Sequence, residues 1–316
     1  MKRFFFVVLL LGMYQQTFAQ AVVDSTQLLN DLKWMSSDNL QGRRVMTAGN
    51  EAAQAYIAAV YERYALKKFK WADSTVSYKQ LWSNKRGTRE LKGANIVGYI
   101  EGSEKPQTYM VISAHFDHLG TLNGDSYNGA DDNASGTCGL LAMVKYFAEH
   151  KPKHSVIFAA FDAEEMGLVG AKMFVEKPPI PLEQIAYNLN MDMISRNVKN
   201  EIYTTGMYQY PFLKTFVEQS AVPKPVVLKF GHDTPQDRGS DNWVNASDQG
   251  AFNAKNIPFT YFGVEDHPDY HKPTDEFEHI MPSFYYNTVR FILNVALKMD
   301  ENLDTILLHR LEKVAK

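Results

Sequence analysis

From Ala94 onward the chain repeats one pattern, a short apolar run that closes on polar or acidic residues: NIVGYIEG, YMVISAH, HSVIFAAFD, IAYNLNMDMIS, EIYTTG and IPFTYFG. Runs of this length, rich in β-branched and aromatic residues and lacking alternation, predict strands buried on both faces. Between them lie segments with apolar residues three and four apart, SGTCGLLAMVKYFAEH, PFLKTFVEQS and SFYYNTVRFILNVALKM, which predict helices. Upstream, Ser25 to Leu66 reads as two helical stretches around the polar turn SSDNLQGRR, the second being the amphipathic EAAQAYIAAVYERYAL. Strands alternating with helices predict an α/β fold, a three-layer α/β/α sandwich around a mixed, mostly parallel β-sheet. Positions 197–239 carry the weakest pattern and are expected to form a lid or pocket wall, where His232 or Arg238 would reach substrate unless the loop is simply solvated.

The remaining patterning bears on domain organisation. Lys2 and Arg3 precede an apolar run from Phe4 to Met13, followed by Thr17 and Ala19 at the spacing of small residues that a signal peptidase reads. That run is roughly half the ~20 residues needed to span a bilayer, so residues 1–19 are expected to be a cleaved signal peptide rather than an anchor. The protein is then expected to be exported, periplasmic or secreted, with no stable membrane anchor after cleavage. No internal repeat or low-complexity linker appears, and the polar residues of interest run from position 115 to position 271. Residues 20–316 are therefore expected to form a single domain that begins with a helical segment. The only cysteine, Cys138, cannot form an internal disulfide and is assigned to the core.

Composition adds little: 45% hydrophobic and 22% charged residues in a chain of 316 describe an ordinary globular protein. The net charge of −3, without any block of five or more basic residues, excludes nucleic acid as a partner.

The chemistry lies where the predicted strands end. In SAHFDHLG, His115 and Asp117 stand two apart, so an extended segment puts them on one side, as suits a histidine ligand oriented by a carboxylate. In NGADDNASG, Asp131 reads equally as a helix N-cap, whereas Asp132 sits between Gly129 and Gly136, which permit a tight turn. FDAEE ends an apolar strand in Glu164 and Glu165, and NLNMDMIS places Asp192 inside another; both are expensive burials unless a cation compensates them. DHPDYHKPTDE supplies His267, Tyr270 and His271 in a loop. As a set, two histidines and three carboxylates suit two divalent cations that share one aspartate, and the three carboxylates with a hydroxide would neutralise them.

In this order, HxDH, GADDNASG, FDAEE, NMDMIS and YH resemble the secreted di-zinc aminopeptidases of metallopeptidase clan MH, whose relatives include glutamate carboxypeptidase and glutaminyl cyclases. The resemblance runs from about Leu32 to about Ile280. It implies the zinc-exopeptidase fold and two Zn²⁺ per chain, with His115 and Asp192 on one ion, Glu165 and His271 on the other, and Asp132 as the bridge. It further implies a cis Asp132–Asn133 peptide, Glu164 as general base, Asp117 as the partner of His115, Tyr270 as a donor to the tetrahedral oxyanion, and Asp248 as a substrate contact unless it is an N-cap. The expected substrates are peptides with a free N-terminus. Glutaminyl cyclase, carboxypeptidase or dipeptidase specificity, and a non-catalytic binding domain are the alternatives. Tyr270 stands where the cyclases typically carry Trp, and a decayed site is not expected to keep all five ligands and Glu164.

Overall fold

The computed structural model describes residues 22–314; the expected signal peptide lies outside them. Eight strands form the main sheet: β1 (Lys79–Arg86), β2 (Arg89–Ile100), β3 (Lys105–His115), β4 (His154–Phe161), β5 (Ile185–Met191), β6 (Glu201–Thr205), β7 (Val227–Phe230) and β8 (Phe259–Gly263). Their spatial order is β7-β6-β8-β5-β3-β4-β2-β1. The centre, β8-β5-β3-β4, is parallel, while β2 runs antiparallel to β4 and β6 antiparallel to β8. This is the expected mixed, mostly parallel sheet.

Helices cover both faces. They are α1 (Ser25–Met35), α2 (Ala48–Arg63), α3 (Gly136–Glu149), α4 (Val169–Glu176), α5 (Leu213–Glu218), α6 (Gln249–Asn253), α7 (Pro282–Glu301) and α8 (Leu303–Val314). Alternate residues of the central strands serve the two layers, as a period of two requires. Met110, Ile112 and Ala114 of β3 join the core built with α1, α2, α3 and α7, whereas Tyr109 and Val111 join a second core with Phe174 of α4 and Phe252 of α6. Cys138 is buried in the first core, as expected. Among the described residues no helix is long and apolar enough to cross a membrane.

Positions 197–239 hold β6 and α5, where the runs EIYTTG and PFLKTFVEQS predict a strand and a helix, and in addition β7, which no pattern marks. β7 is a four-residue edge strand of intermediate burial, so it lacks the apolar run that marks a central strand. Similarly, β1 is a polar antiparallel edge strand that apolar periodicity does not reveal.

The turn between α1 and α2 delivers Arg43 into the interior, where it has no exposed surface. Its guanidinium donates to the carbonyls of Met35 (2.6 Å), Phe116 (2.8 Å), Asn128 (2.6 Å) and Gly129 (3.1 Å). One side chain thus ties the end of α1 to the loop after β3 and to the turn before α3. Replacing Arg43 with Met would leave buried carbonyls unpaired at ~1–3 kcal/mol each. R43M is therefore expected to lose at least ~3 kcal/mol in urea unfolding. R43K should recover little of it, because a lysine ammonium cannot reproduce the planar fork.

Candidate metal centre

The parallel strands β3, β4, β5 and β8 end along one edge, and the loops after them carry the polar cluster, at the position where open α/β sheets hold ligands. His115 is the last residue of β3, Glu164 and Glu165 follow β4, Asp192 follows β5, and His271 lies in the loop after β8. Asp132 comes from the turn that opens α3. That turn depends on glycine twice. Gly129 has φ +54°, and a Cβ there would stand 2.0 Å from the Asp132 carbonyl oxygen; a Cβ on Gly136 would stand 2.5 Å from the Met191 carbonyl. The Asp132–Asn133 peptide is cis.

All five expected ligands converge. Asp132 Oδ1 is 3.5 Å from His115 Nε2, which is 3.3 Å from Asp192 Oδ1. The other oxygen of Asp132, Oδ2, is 3.0 Å from His271 Nε2, which is 3.5 Å from Glu165 Oε2. One carboxylate thus faces two clusters, one oxygen to each. His115 Nε2, Asp192 Oδ1 and Glu165 Oε1 are buried and lack hydrogen-bond partners. Such atoms are costly in a folded interior unless something compensates them. Among the described residues, His115, Asp132 and Asp192 form one group able to hold a metal ion, and His118, Asp132 and Glu165 a second. His118 has no place in the expected ligand set; the only signal for it was its position in HFDH, one residue beyond Asp117.

Protein charges alone leave the cluster unbalanced. Burial opposes charge on His115, but the carboxylates of Asp192 and Glu164 outweigh it and hold its pKa well above the usual value. Burial likewise opposes charge on His271, yet Asp132 and Glu165 raise its pKa to about 10. Glu164 is pushed well above the carboxylate range by burial, with Asp192 and Asp248 adding repulsion against the pull of His115. Glu165 moves the other way: burial would raise it, but the imidazoles of His118 and His271 pull it well below.

Around the cluster the structure refines several assignments. Asp117 was expected to orient His115 with its carboxylate. Instead the backbone carbonyl of Asp117 lies 3.1 Å from His115 Nδ1, while its carboxylate is at 3.7 Å and accepts the Glu164 N–H at 2.9 Å. Asp117 thereby also fixes the backbone of Glu164. Asp131 does not cap α3; its carboxylate accepts the Ser195 N–H and hydroxyl at 2.7 Å and pairs with His267 at 3.1 Å. Asn133 is the residue whose side chain accepts the Gly136 N–H at the start of α3, at 2.8 Å. Asp275 accepts the N–H groups of Asp131 and Asp132 at 3.0 Å. The Asp275 clamp and the new role of Asp131 had no motif to announce them.

Asp248, expected as a substrate contact, is fully buried, and neither carboxylate oxygen has a hydrogen-bond partner. Burial pushes its pKa up to about 8. It lies behind the site and offers no surface to substrate; no side-chain cap bond to α6 forms either. Tyr270 stacks on His271 with ring centroids 3.9 Å apart, which places it at the mouth. The cleft, of about 230 Å³, is lined by Asp132, Glu164, Glu165, Asp192, Asp266, His271 and a wall that includes Met193, Trp243, Tyr261 and Tyr270, with no Lys or Arg. His232 stacks behind Trp243 at 3.7 Å, so it supports that wall from outside.

Fold and donor set together define an α/β protein with a metal centre at the carboxyl edge of its sheet. The sequence matches the profile of peptidase family M28 over residues 95–296, more than half of the chain, and the chain belongs to that family. It is 36% identical over 114 residues to a probable zinc metalloprotease of Pyrenophora tritici-repentis, covering 35% of this chain and 26% of that protein. It is 35% identical over 127 residues to a glutamate carboxypeptidase 2 homolog of Caenorhabditis elegans, covering 38% and 16%. The matched segments are thus 26% and 16% of those relatives' lengths. Among solved structures, BSAP, a zinc aminopeptidase from Bacillus subtilis, superposes with a TM-score of 0.66 at 15% identity, covering 88% of this chain and 95% of that one. A glutaminyl cyclase of Bacteroides thetaiotaomicron gives 0.65 at 17% identity, covering 87% and 98%. At such identities these likenesses establish the fold.

Asp162, at the end of β4, yields a pH prediction. It is fully buried, accepts from Asn50 Nδ2 (2.9 Å) and the Ala94 N–H (3.2 Å), and is pushed up to about 8 by burial and by Asp117. Its folded pKa lies above the unfolded value near 3.8, so the folded state binds the extra proton, and its contribution to stability falls as pH rises from about 4 through about 8. In chelator-treated protein, D162N is expected to flatten the decline of unfolding free energy across that window; an unchanged slope would show that Asp162 is ionised in the folded state.

Proposed function

We propose that the protein is a two-zinc exopeptidase that removes N-terminal residues from peptides. The observation that carries this reading is the divided carboxylate of Asp132, with one oxygen facing His115 and Asp192 and the other facing His271 and Glu165. Histidine nitrogens and carboxylate oxygens are the donor set zinc takes. When bound, the ions supply Lewis acidity to the scissile carbonyl and to the attacking water.

The residues divide the remaining work. Glu164 stands beside His115, its Oε2 4.0 Å from Nε2, with its backbone held by Asp117, a placement that suits a group that takes a proton from water and returns it to the leaving amine. The phenol of Tyr270, shifted upward by burial and by nearby carboxylates, keeps its proton and can donate to a developing oxyanion. Preference for the amino end is supported by the lining of the cleft. Asp266 and Asp192 suit a protonated α-amine, and no lining Lys or Arg is present to neutralise a terminal carboxylate, as a carboxypeptidase would need. The aromatic wall suits an apolar first side chain. The apolar run from Phe4 to Met13 supports an exported setting, periplasmic or secreted.

Aminoacyl p-nitroanilides test the reading directly. Hydrolysis should disappear on chelation and return with zinc, while N-acetylated substrates should be inert. Cyclisation of N-terminal glutamine without hydrolysis, or release of C-terminal residues instead, would overturn it.

Two substitutions separate chemistry from metal binding. E164Q should lower kcat by about 10³-fold with zinc content unchanged, on the usual scale for loss of a general base. D132A should lose metal and activity together, as measured by bound zinc after gel filtration. Near-full activity in E164Q would remove Glu164 from the proposed role.

A further inference from the structure

The loop after β3 leaves the ring of His118 against the turn that carries Asp132. The packing is close: a Cβ on Gly129 would stand 2.5 Å from its Cδ2. His118 is 1% exposed and neither ring nitrogen has a hydrogen-bond partner. Nδ1 lies 2.8 Å from Glu165 Oε1, an atom that is also buried and without a hydrogen-bond partner. The two atoms are therefore close without being aligned for a hydrogen bond, side by side and facing the same space. Asp132 Oδ2 bounds that space at 3.7 Å from His118 Nδ1, and His271 Nε2 bounds it at 3.0 Å from Asp132 Oδ2 and 3.5 Å from Glu165 Oε2. Four donors around a zinc ion at ~2.0–2.1 Å stand ~3.3–3.4 Å apart in a tetrahedron; His118, Asp132 and Glu165 lie close enough together to hold one ion, and His271 adjoins the last two.

We infer that His118 is a fourth protein ligand, through Nδ1, of the ion held by Asp132, Glu165 and His271. The inference rests on the metal-centre reading given above and makes the two positions unequal. The His118 side has four protein donors, the number that closes a zinc site. The His115 side has three, His115, Asp132 and Asp192, the number that leaves a place for a reacting molecule. Glu164 belongs to that second side, with Oε2 4.0 Å from His115 Nε2. The His118 side is then the tighter, anchoring position, and the His115 side is the one that exchanges and where the chemistry concentrates.

Zinc binding and spectroscopy test this on the full chain, with circular dichroism confirming that each variant is folded. Protein carrying one equivalent of zinc should show two imidazoles on that ion by X-ray absorption, those of His118 and His271. One imidazole would overturn the assignment, and this measurement needs no variant. H118A and H118Q should both weaken the tighter ion by more than ~100-fold, beyond the 10–100-fold typical of losing a group that only orients a ligand. Both should also change the visible spectrum of the cobalt-loaded protein. If H118Q instead kept the wild-type spectrum and bound both ions within about tenfold of wild type, His118 would be a positioning residue for Glu165 and the inference would fail. Wild-type protein that bound no zinc at all would overturn the metal centre itself, a different outcome from loss of the His118 ligand alone.

Discussion

The structure is organised by the need to balance buried negative charge. Asp117, Asp132, Glu164, Glu165, Asp192 and Asp248 gather at one sheet edge with His115, His118 and His271, and the cleft they border has no Lys or Arg in its lining. Carboxylates removed from water are tolerated only when charge, hydrogen bonds or protonation compensate them. Three imidazoles cannot balance six carboxylates even if all are protonated. The unpartnered atoms and the opposed pKa displacements of Glu164 and Glu165 are symptoms of that imbalance, which a bound divalent cation would relieve.

The scaffold keeps the cluster in register through backbone contacts more than through packing of the site residues themselves. Arg43 holds three carbonyls around the His115 and Asp132 segments, Asp275 holds the amides of Asp131 and Asp132, and Asp131 fastens the loop after β5. Beneath them a buried polar ladder, Asn188 to Ser113 to Asn190 to Ser247 and Gln249, joins β3 and β5 to the segment before α6. Networks of this kind rigidify a core because each member would be expensive to release, although the Asn188 Oδ1 of this one has no partner. Precision at the site follows from these ties, since all its side chains except that of His115, the last residue of β3, are carried by loops and turns.

The central strands were legible because burial on both faces writes itself as an uninterrupted apolar run, and His115, Glu165 and Asp192 because each stands at the end of such a run; Asp132 and His271, in a glycine-flanked turn and a polar loop, depended on the order of the motifs. β1 and β7 escaped because edge strands are polar or half-exposed, and α4 because only eight residues separate its start from its end. His118 was hidden by proximity: next to two stronger candidates, it carried no spacing of its own. Asp275 and the carbonyl contact of Asp117 could not be read at all, because they depend on which backbone groups the folded loops bring within reach. Asp248 shows the opposite case, a residue correctly drawn to the site by its motif whose depth only the packing reveals.

The guanidinium of Arg43 has one consequence for where the functional unit begins. The family profile matches from residue 95 onward, yet the cation that holds the carbonyls of Phe116, Asn128 and Gly129 enters from the turn between α1 and α2. A boundary of sequence similarity is therefore not a boundary of the fold. In chain order this helical layer precedes the strands and turn whose carbonyls its buried charge requires. The centre can close only once the earliest and the later parts of the chain have met.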